Sequence, residues 1–421
     1  MCPKESNQPK EGDRPMNATD VHKLPPMDLR TTPKRSITSG PLGVARLIVS
    51  LFSYGGGGLV PSTDCSMPQR DPPDSNNKVK SSNWRHIRLI TITPSNYCEK
   101  ARWALDLLEE KAKQSKDDDE IKYYYTEDGH PPAFLAFETL RASNYQSSAS
   151  PMIVVDNGST ANGKRVIAKS DFILREMVPF LYPEPIANKI REVEDELGET
   201  IGAAVRCVLY YYMLHPGAIQ REQDRKRFGK AMCAVCCNHS SKVESKLFAA
   251  MLDKGVAETI LRVLKINKQT CQASVETLHR VFDEVSKKLE QASNRNNLEP
   301  YIMDSDLVKT GTWSSFGFTA VDLSFAALTA PLLRPESFAP NFSAVKEEEL
   351  PQELVELKNK LLETIAGQHV LRMYEKHRPK GINGVVEMKT KARDRLPLAE
   401  MVYGLGLLSS VAVAIFWVRH R

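Results

Sequence analysis

Ser95 and Cys98, in the run Thr93-Pro94-Ser95-Asn96-Tyr97-Cys98-Glu99-Lys100, are the side chains of this sequence best placed to do chemistry. The residues before them, Arg88 to Ile92, alternate like a strand and stop at Pro94. A helical pattern begins at once, so Ser95 falls where a helix N-cap belongs. A serine there commonly does no more than cap backbone amides. The same position also favours a bound anion, because free amides and the positive end of the helix dipole meet at it. A hydroxyl at that end can donate a hydrogen bond to a thiolate and lower its pKa. Tyr97 opens the apolar face of the helix, which leaves it either buried or touching a substrate.

Two further clusters invite chemistry and yield less. Cys233-x-x-Cys236-Cys237-x-His239 carries soft metal ligands. A zinc site usually needs a second ligand pair at a defined distance, none is evident downstream, and no metal is expected. Reduced thiols packed on a helix are the simpler reading. Tyr210, Tyr211 and Tyr212 read as packing and pocket wall.

The elements that must position Ser95 are legible around it. Tyr97, Ala101, Ala104 and Leu108 recur at helical spacing, with Leu105 widening the apolar face. Ile121 to Tyr125 reads as a second strand, Ser150 to Gly158 as a short strand ending in a turn, and Lys164 to Tyr182 as a strand running into an amphipathic helix. Strand, helix, strand, then strand, strand, helix is the order of a thioredoxin-like α/β domain. Beyond Pro185 the chain reads as helices: one from Lys189 to Leu214, ended by His215-Pro216-Gly217, and another from Ser274 to Ala292 with Leu278, Phe282 and Leu289 on its buried face. An all-α helical-bundle domain is therefore expected behind the α/β one. In it, Thr319-x-x-Asp322 reads as a capping box, with Phe318 and Leu323 as its hydrophobic staple.

The 421 residues suit two folded units with extensions. A net charge of +5 is mild, with 57 basic against 52 acidic side chains, and no arginine-rich face is interleaved with aromatics. Nucleic-acid binding is not expected. Apart from Cys233, Cys236 and Cys237, the 8 cysteines are scattered, as in a protein that keeps reduced thiols and faces the cytosol. Residues 1–83 read as a disordered arm, broken by an apolar island from Pro41 to Pro61. That island is too short to span a bilayer, and packing against the folded body is its simplest role. Met401 to Val418 runs without a charge for about the minimum that crosses a membrane as a helix. Basic residues flank it, which favours a single-span tail anchor with the folded part in the cytosol. The organisation expected is thus an arm (1–83), an α/β domain (84–183), an all-α domain (184–382), a basic linker (383–396) and a transmembrane helix (397–418).

Six landmarks in register carry a family resemblance: Ser95-Asn96-Tyr97-Cys98-Glu99-Lys100-Ala101-Arg102, Gly129 to Phe134, Ser150-Pro151 before Met152 to Asp156, Ala168 to Leu174, Phe318 to Leu333, and Val370 to Pro379. In that order they resemble the glutathione transferase superfamily, over roughly Trp84 to Pro379. The resemblance implies glutathione as co-substrate, held on the α/β domain, and an apolar electrophile or peroxide in a cleft lined by the helical domain. Ser95 falls where those enzymes stabilise the glutathione thiolate, and Cys98 where glutaredoxin-like relatives keep a second cysteine. Pro151 falls on the cis-proline that exposes the backbone of Ser150 to the cysteinyl part. Ser170 falls where the glutamyl carboxylate is bound at a helix start. Lys169 stands where most of the superfamily has Glu, Gln or Asp to hold the glutamyl amine, leaving Asp171 as the nearby carboxylate.

A homodimer is typical of the superfamily. A tail anchor also resembles the ganglioside-induced differentiation-associated proteins of the mitochondrial outer membrane, which implies an alternative: a non-catalytic scaffold in organelle membrane dynamics or contacts. A mitochondrial, plastid or peroxisomal surface suits either.

Overall fold

The computed structural model describes residues 59–62, 84–117, 120–156, 164–184, 186–219, 222–237, 240, 242–252, 257–296, 299–305, 315–338 and 346–379. The first folded unit runs β2 (Trp84–Thr91), α1 (Asn96–Gln114), β3 (Lys122–Gly129), α2 (Pro132–Ala142), β4 (Met152–Asp156), β5 (Lys164–Ala168) and α3 (Ser170–Met177), with β1 (Leu59–Ser62) ahead of it. The strands form one mixed sheet in the order β1-β5-β4-β2-β3. β2 and β3 are parallel, as a strand–helix–strand crossover requires, while β4 and β5 return antiparallel.

Alternation along the strands feeds two cores. Ile87, Leu89, Tyr125, Ile153 and Ile167 pack beneath α1 and α3 against Ala101, Leu105 and Ile173. Ile90, Met152, Val154 and Val166 face α2 at Leu135 and Ala142. A buried cation also lies on the α2 side: Arg88 pairs with Glu138 at 2.5 Å and with Asp128.

Helices make up the second unit: α4 (Ala187–Leu197), a π turn (Gly198–Gly202), α5 (Ala203–Leu214), α6 (Glu222–Cys236), α7 (Lys242–Met251), α8 (Ala257–Val263), α9 (Lys268–Asn296), α10 (Ala320–Leu333), α11 (Gln352–Leu362) and α12 (Ile365–Lys376). Every residue of α10 is buried, as a helix apolar on all sides must be; it packs against α1, α4, α5 and α12. The layout is thus an α/β unit followed by a helical one.

The sequence expectations meet four differences. The arm expected to be disordered through residue 83 contributes β1, whose Leu59 and Val60 pair with Ile167 and Val166. That pairing covers a sheet edge whose amides and carbonyls would otherwise lie open. α2 is hidden in the sequence because Pro131 and Pro132 open it, yet proline at a first turn costs no hydrogen bond. α9 begins six residues before Ser274, at a reciprocal cap in which Thr270 N donates to Asn267 Oδ1 and Asn267 N to Thr270 Oγ1, both at 2.9 Å. The helix expected from Lys189 to Leu214 is continuous but carries the π turn at its centre.

The capping box at Thr319 is present, and Asp322 does more than cap. It accepts from Thr319 N at 3.0 Å, from Ile302 N at 2.9 Å and from the His369 ring at 3.1 Å. Phe318 stacks on His377 with ring centroids 4.3 Å apart. No described helix is long and apolar enough to cross a membrane. The linker (383–396) and the span expected at 397–418 lie outside the described residues.

Candidate active site

The junction between β2 and α1 sits at the seam of the two units, and Asn96 fixes it there. Its buried side-chain amide donates to Gly202 O at 3.0 Å and to Leu328 O at 3.1 Å, one carbonyl from the π turn and one from α10. Ser95, beside it, is the N-cap of α1: its backbone is extended (φ −72°, ψ 127°) and its Oγ accepts from the Cys98 amide at 3.4 Å. A cavity of about 110 Å³ opens at this seam.

Ser95, Tyr97, Ser150 and Ser170 all line that cavity, although 75 residues separate the first from the last. Ser150 arrives on the turn before β4, across a cis bond to Pro151. Pro151 is buried behind it and accepts from the Lys169 amide at 2.8 Å, which ties the β4 turn to the start of α3. Ser170 opens α3. It is 2 % exposed, yet its hydroxyl has no hydrogen-bond partner among the described residues. The residue lines the cavity, at the end of a helix whose free amides favour an anion.

Lys169 lines the cavity and Asp171 does not. The backbone at Lys169 is left-handed (φ 74°), an uncommon state for a residue with a Cβ. Its ammonium stands 5.9 Å from the Phe172 ring. The residue immediately before the serine is therefore a lysine that lines the cavity, and the carboxylate after it does not line it.

Cys98 is fully buried beneath the cavity and does not line it. Its Sγ accepts from Ile92 N at 3.4 Å and lies 3.5 Å from Ser150 Oγ. Burial pushes the thiol up, and the hydrogen bonds only partly oppose it. That combination suits a packing group rather than a nucleophile. Tyr97 reaches the cavity with its ring, while its hydroxyl donates to Gly198 O at 2.9 Å.

A buried charge network holds α1 in place behind the site. Arg102 forks onto Glu127 at 2.8 and 2.6 Å and reaches Glu99 at 2.5 Å. From the far end of the chain, Arg378 Nε and the Tyr374 hydroxyl bond the same Glu99 at 3.0 and 3.2 Å. Lys100 pairs with Glu194 of α4 at 2.5 Å, and Tyr182 donates to that carboxylate at 2.6 Å. The Glu-Lys-x-Arg run after the serine thus clamps α1 to its neighbours on both units.

Among the described residues no group of three or more metal-ligating side chains is assembled. Cys233 and Cys237 lie 3.9 Å apart through their sulfurs, Cys236 turns to Met232 instead, and His239 lies outside the described residues.

Arg206 was missed by the sequence reading. It lines the cavity from α5, opposite the serines, with Val205, Leu209, Tyr210, Met213 and Met232 around it. The signal available was that Arg206 is the one charged residue between Ala203 and Leu214. No protein-family model matches the chain, and a search of the curated proteins returns no match.

Proposed function

We propose that the chain is a glutathione transferase-like enzyme, with a thioredoxin-like domain that binds glutathione and a helical domain that completes the cleft. The observation that carries this reading is Ser170: the first residue of a helix, lining the same cavity as Ser95 and Ser150. A small ligand with a carboxylate at one end and a thiol further along fits that arrangement. The carboxylate would take Ser170 and the α3 amides, the backbone at the cis Ser150–Pro151 turn would pair with the middle of the ligand, and Ser95 would receive the thiol.

Ser95 then has a defined role. Its hydroxyl accepts from the Cys98 amide and keeps its own proton to donate, so it can hold a thiolate at the N-terminal end of α1. Stabilising the thiolate and holding it beside an electrophile are the terms required for conjugation or peroxide reduction. Lys169 replaces the acid that would hold the glutamyl amine, so the glutamyl end depends on its carboxylate alone.

Ser95→Ala tests the role. A hydrogen bond to a charged group contributes roughly 1.5–3 kcal/mol, so conjugation near neutral pH should fall by about tenfold or more and its pH profile should move to higher pH. An unchanged pH profile in the variant would remove Ser95 from the chemistry. A membrane-tethered scaffold that no longer binds glutathione is the alternative. It is favoured by Lys169, which lines the cavity and holds the sequence position where the superfamily has an acid for the glutamyl amine.

A further inference from the structure

The serines occupy one wall of the cavity, contributed by the α/β unit; the opposite wall belongs to α5. Arg206 and Tyr210 stand one turn apart there, so both present the same face of the helix. Arg206 forms no ion pair among the described residues, and its guanidinium lies 6.0 Å from the Tyr97 ring centre. The Tyr210 hydroxyl likewise has no hydrogen-bond partner among them. Lys169 and Arg206 are the charged side chains that line the cavity, and no Asp or Glu lines it. The rest of that side is apolar: Val205, Leu209 and Met213 of α5 and Met232 of α6.

A guanidinium has five donors in a fixed fork and cannot shed its charge. Placed half-buried on an apolar wall without a carboxylate beside it, it is matched by an anion from outside the chain. The apolar residues flanking it define the remainder of that molecule.

We propose that Arg206, assisted by Tyr210, makes this wall selective for a second substrate with a carboxylate or similar anionic head on an apolar body. The glutathione reading above supplies only the identity of the first substrate; the selectivity of the α5 wall stands on its own residues. An uncharged electrophile would leave the guanidinium desolvated without a partner, and an anionic one would satisfy it. Arg206 is here a specificity-determining residue, set across the cavity from the thiol-binding serine.

The test compares octanoate with octanamide, which share a chain and differ in head-group charge. Calorimetric titration of the full chain, with and without glutathione, is made for the native protein, Arg206→Gln and Arg206→Lys, with melting temperatures to confirm folding. Octanoate should bind at least about tenfold more tightly than octanamide, as a charge-assisted bond implies. Arg206→Gln should abolish that preference and Arg206→Lys should retain part of it. Equal affinities in the native protein, or a preference that survives Arg206→Gln, would overturn the proposal. So would Arg206→Gln weakening glutathione instead of octanoate, because the guanidinium would then serve the tripeptide. Failure of the glutathione reading would appear separately, as absent glutathione binding in the native protein with the octanoate–octanamide comparison still decided.

Discussion

A methyl group at Gly202 would stand 2.6 Å from the phenolic oxygen of Tyr97. The π turn therefore presses bare backbone against the first side chain of the α1 apolar face. The same turn supplies Gly198 O to the Tyr97 hydroxyl and Gly202 O to Asn96, so the irregular turn is the piece of the helical unit that seats the Ser95 loop.

Gly202→Ala should destabilise the protein by about 1–3 kcal/mol, the usual cost of overpacking a filled site. Because Tyr97 lines the cavity, ligand affinity should fall as well. Urea unfolding measured beside ligand titration checks both. Unchanged stability would mean that Tyr97 moves freely and does not fix the seam.

Glu99 is bonded by Arg102, Arg378 and Tyr374 in a fully buried setting. Removing one member of such a group leaves unpaired buried charge, which costs about 3–5 kcal/mol. Glu99→Gln should lower the unfolding midpoint accordingly. A change within a few tenths of a kcal/mol would show that the network is not desolvated as the structure has it.

His130 sets a pH dependence. Its ring lies 2.8 Å from Glu244 of α7 and 3.1 Å from Asp128. Burial alone would pull its pKa down, but the Asp128 charge, with the charge of Glu244 and the hydrogen bond to it, outweighs burial and holds the pKa at about 10. A group raised in the folded state stabilises fully below its unfolded value near 6.5 and loses that contribution as pH rises through its folded value. Stability should therefore decline between about pH 6.5 and 10, by at most about 1.4 kcal/mol per pH unit for one proton. His130→Gln should be less stable at pH 7 and should flatten the slope, read by chemical denaturation at pH 7, 8.5 and 10. A variant with the native slope would rule out His130 as its source.

Cys98 should resist alkylation in the folded protein, since it is fully buried with its thiol pushed up. Labelling by iodoacetamide, mapped by mass spectrometry, should reach it only under denaturing conditions. Rapid native labelling of Cys98 would contradict its burial and its part as a packing group.

Local pattern carried the sequence reading as far as the chain's own neighbours decide structure. The strand before Pro94, the cap at Ser95 and the apolar faces of α1 and α9 are written in adjacent residues. Ser150 and Ser170 became site candidates through a resemblance in motif order, and the sheet brings them to one cavity with Ser95. Arg206 was out of reach because its meaning depends on where α5 crosses the serine loop, about 110 residues away in sequence. The π turn was hidden for a like reason: the period of Lys189 to Leu214 reads as one helix, and only contact with Tyr97 and Asn96 shows what the extra residue does. Asp171 was the natural choice for the ligand's amine by charge alone, yet the left-handed backbone at Lys169 belongs to a geometry in which Lys169 lines the site and Asp171 does not.

Glutathione titration by calorimetry, with Ser170→Ala alongside, is the most direct test of the proposed site. Sub-millimolar binding that disappears in the variant is the predicted result, because the Ser170 hydroxyl and the α3 amides would then hold the ligand's carboxylate. No binding by the native protein at several millimolar glutathione, or binding indifferent to Ser170→Ala, would contradict it.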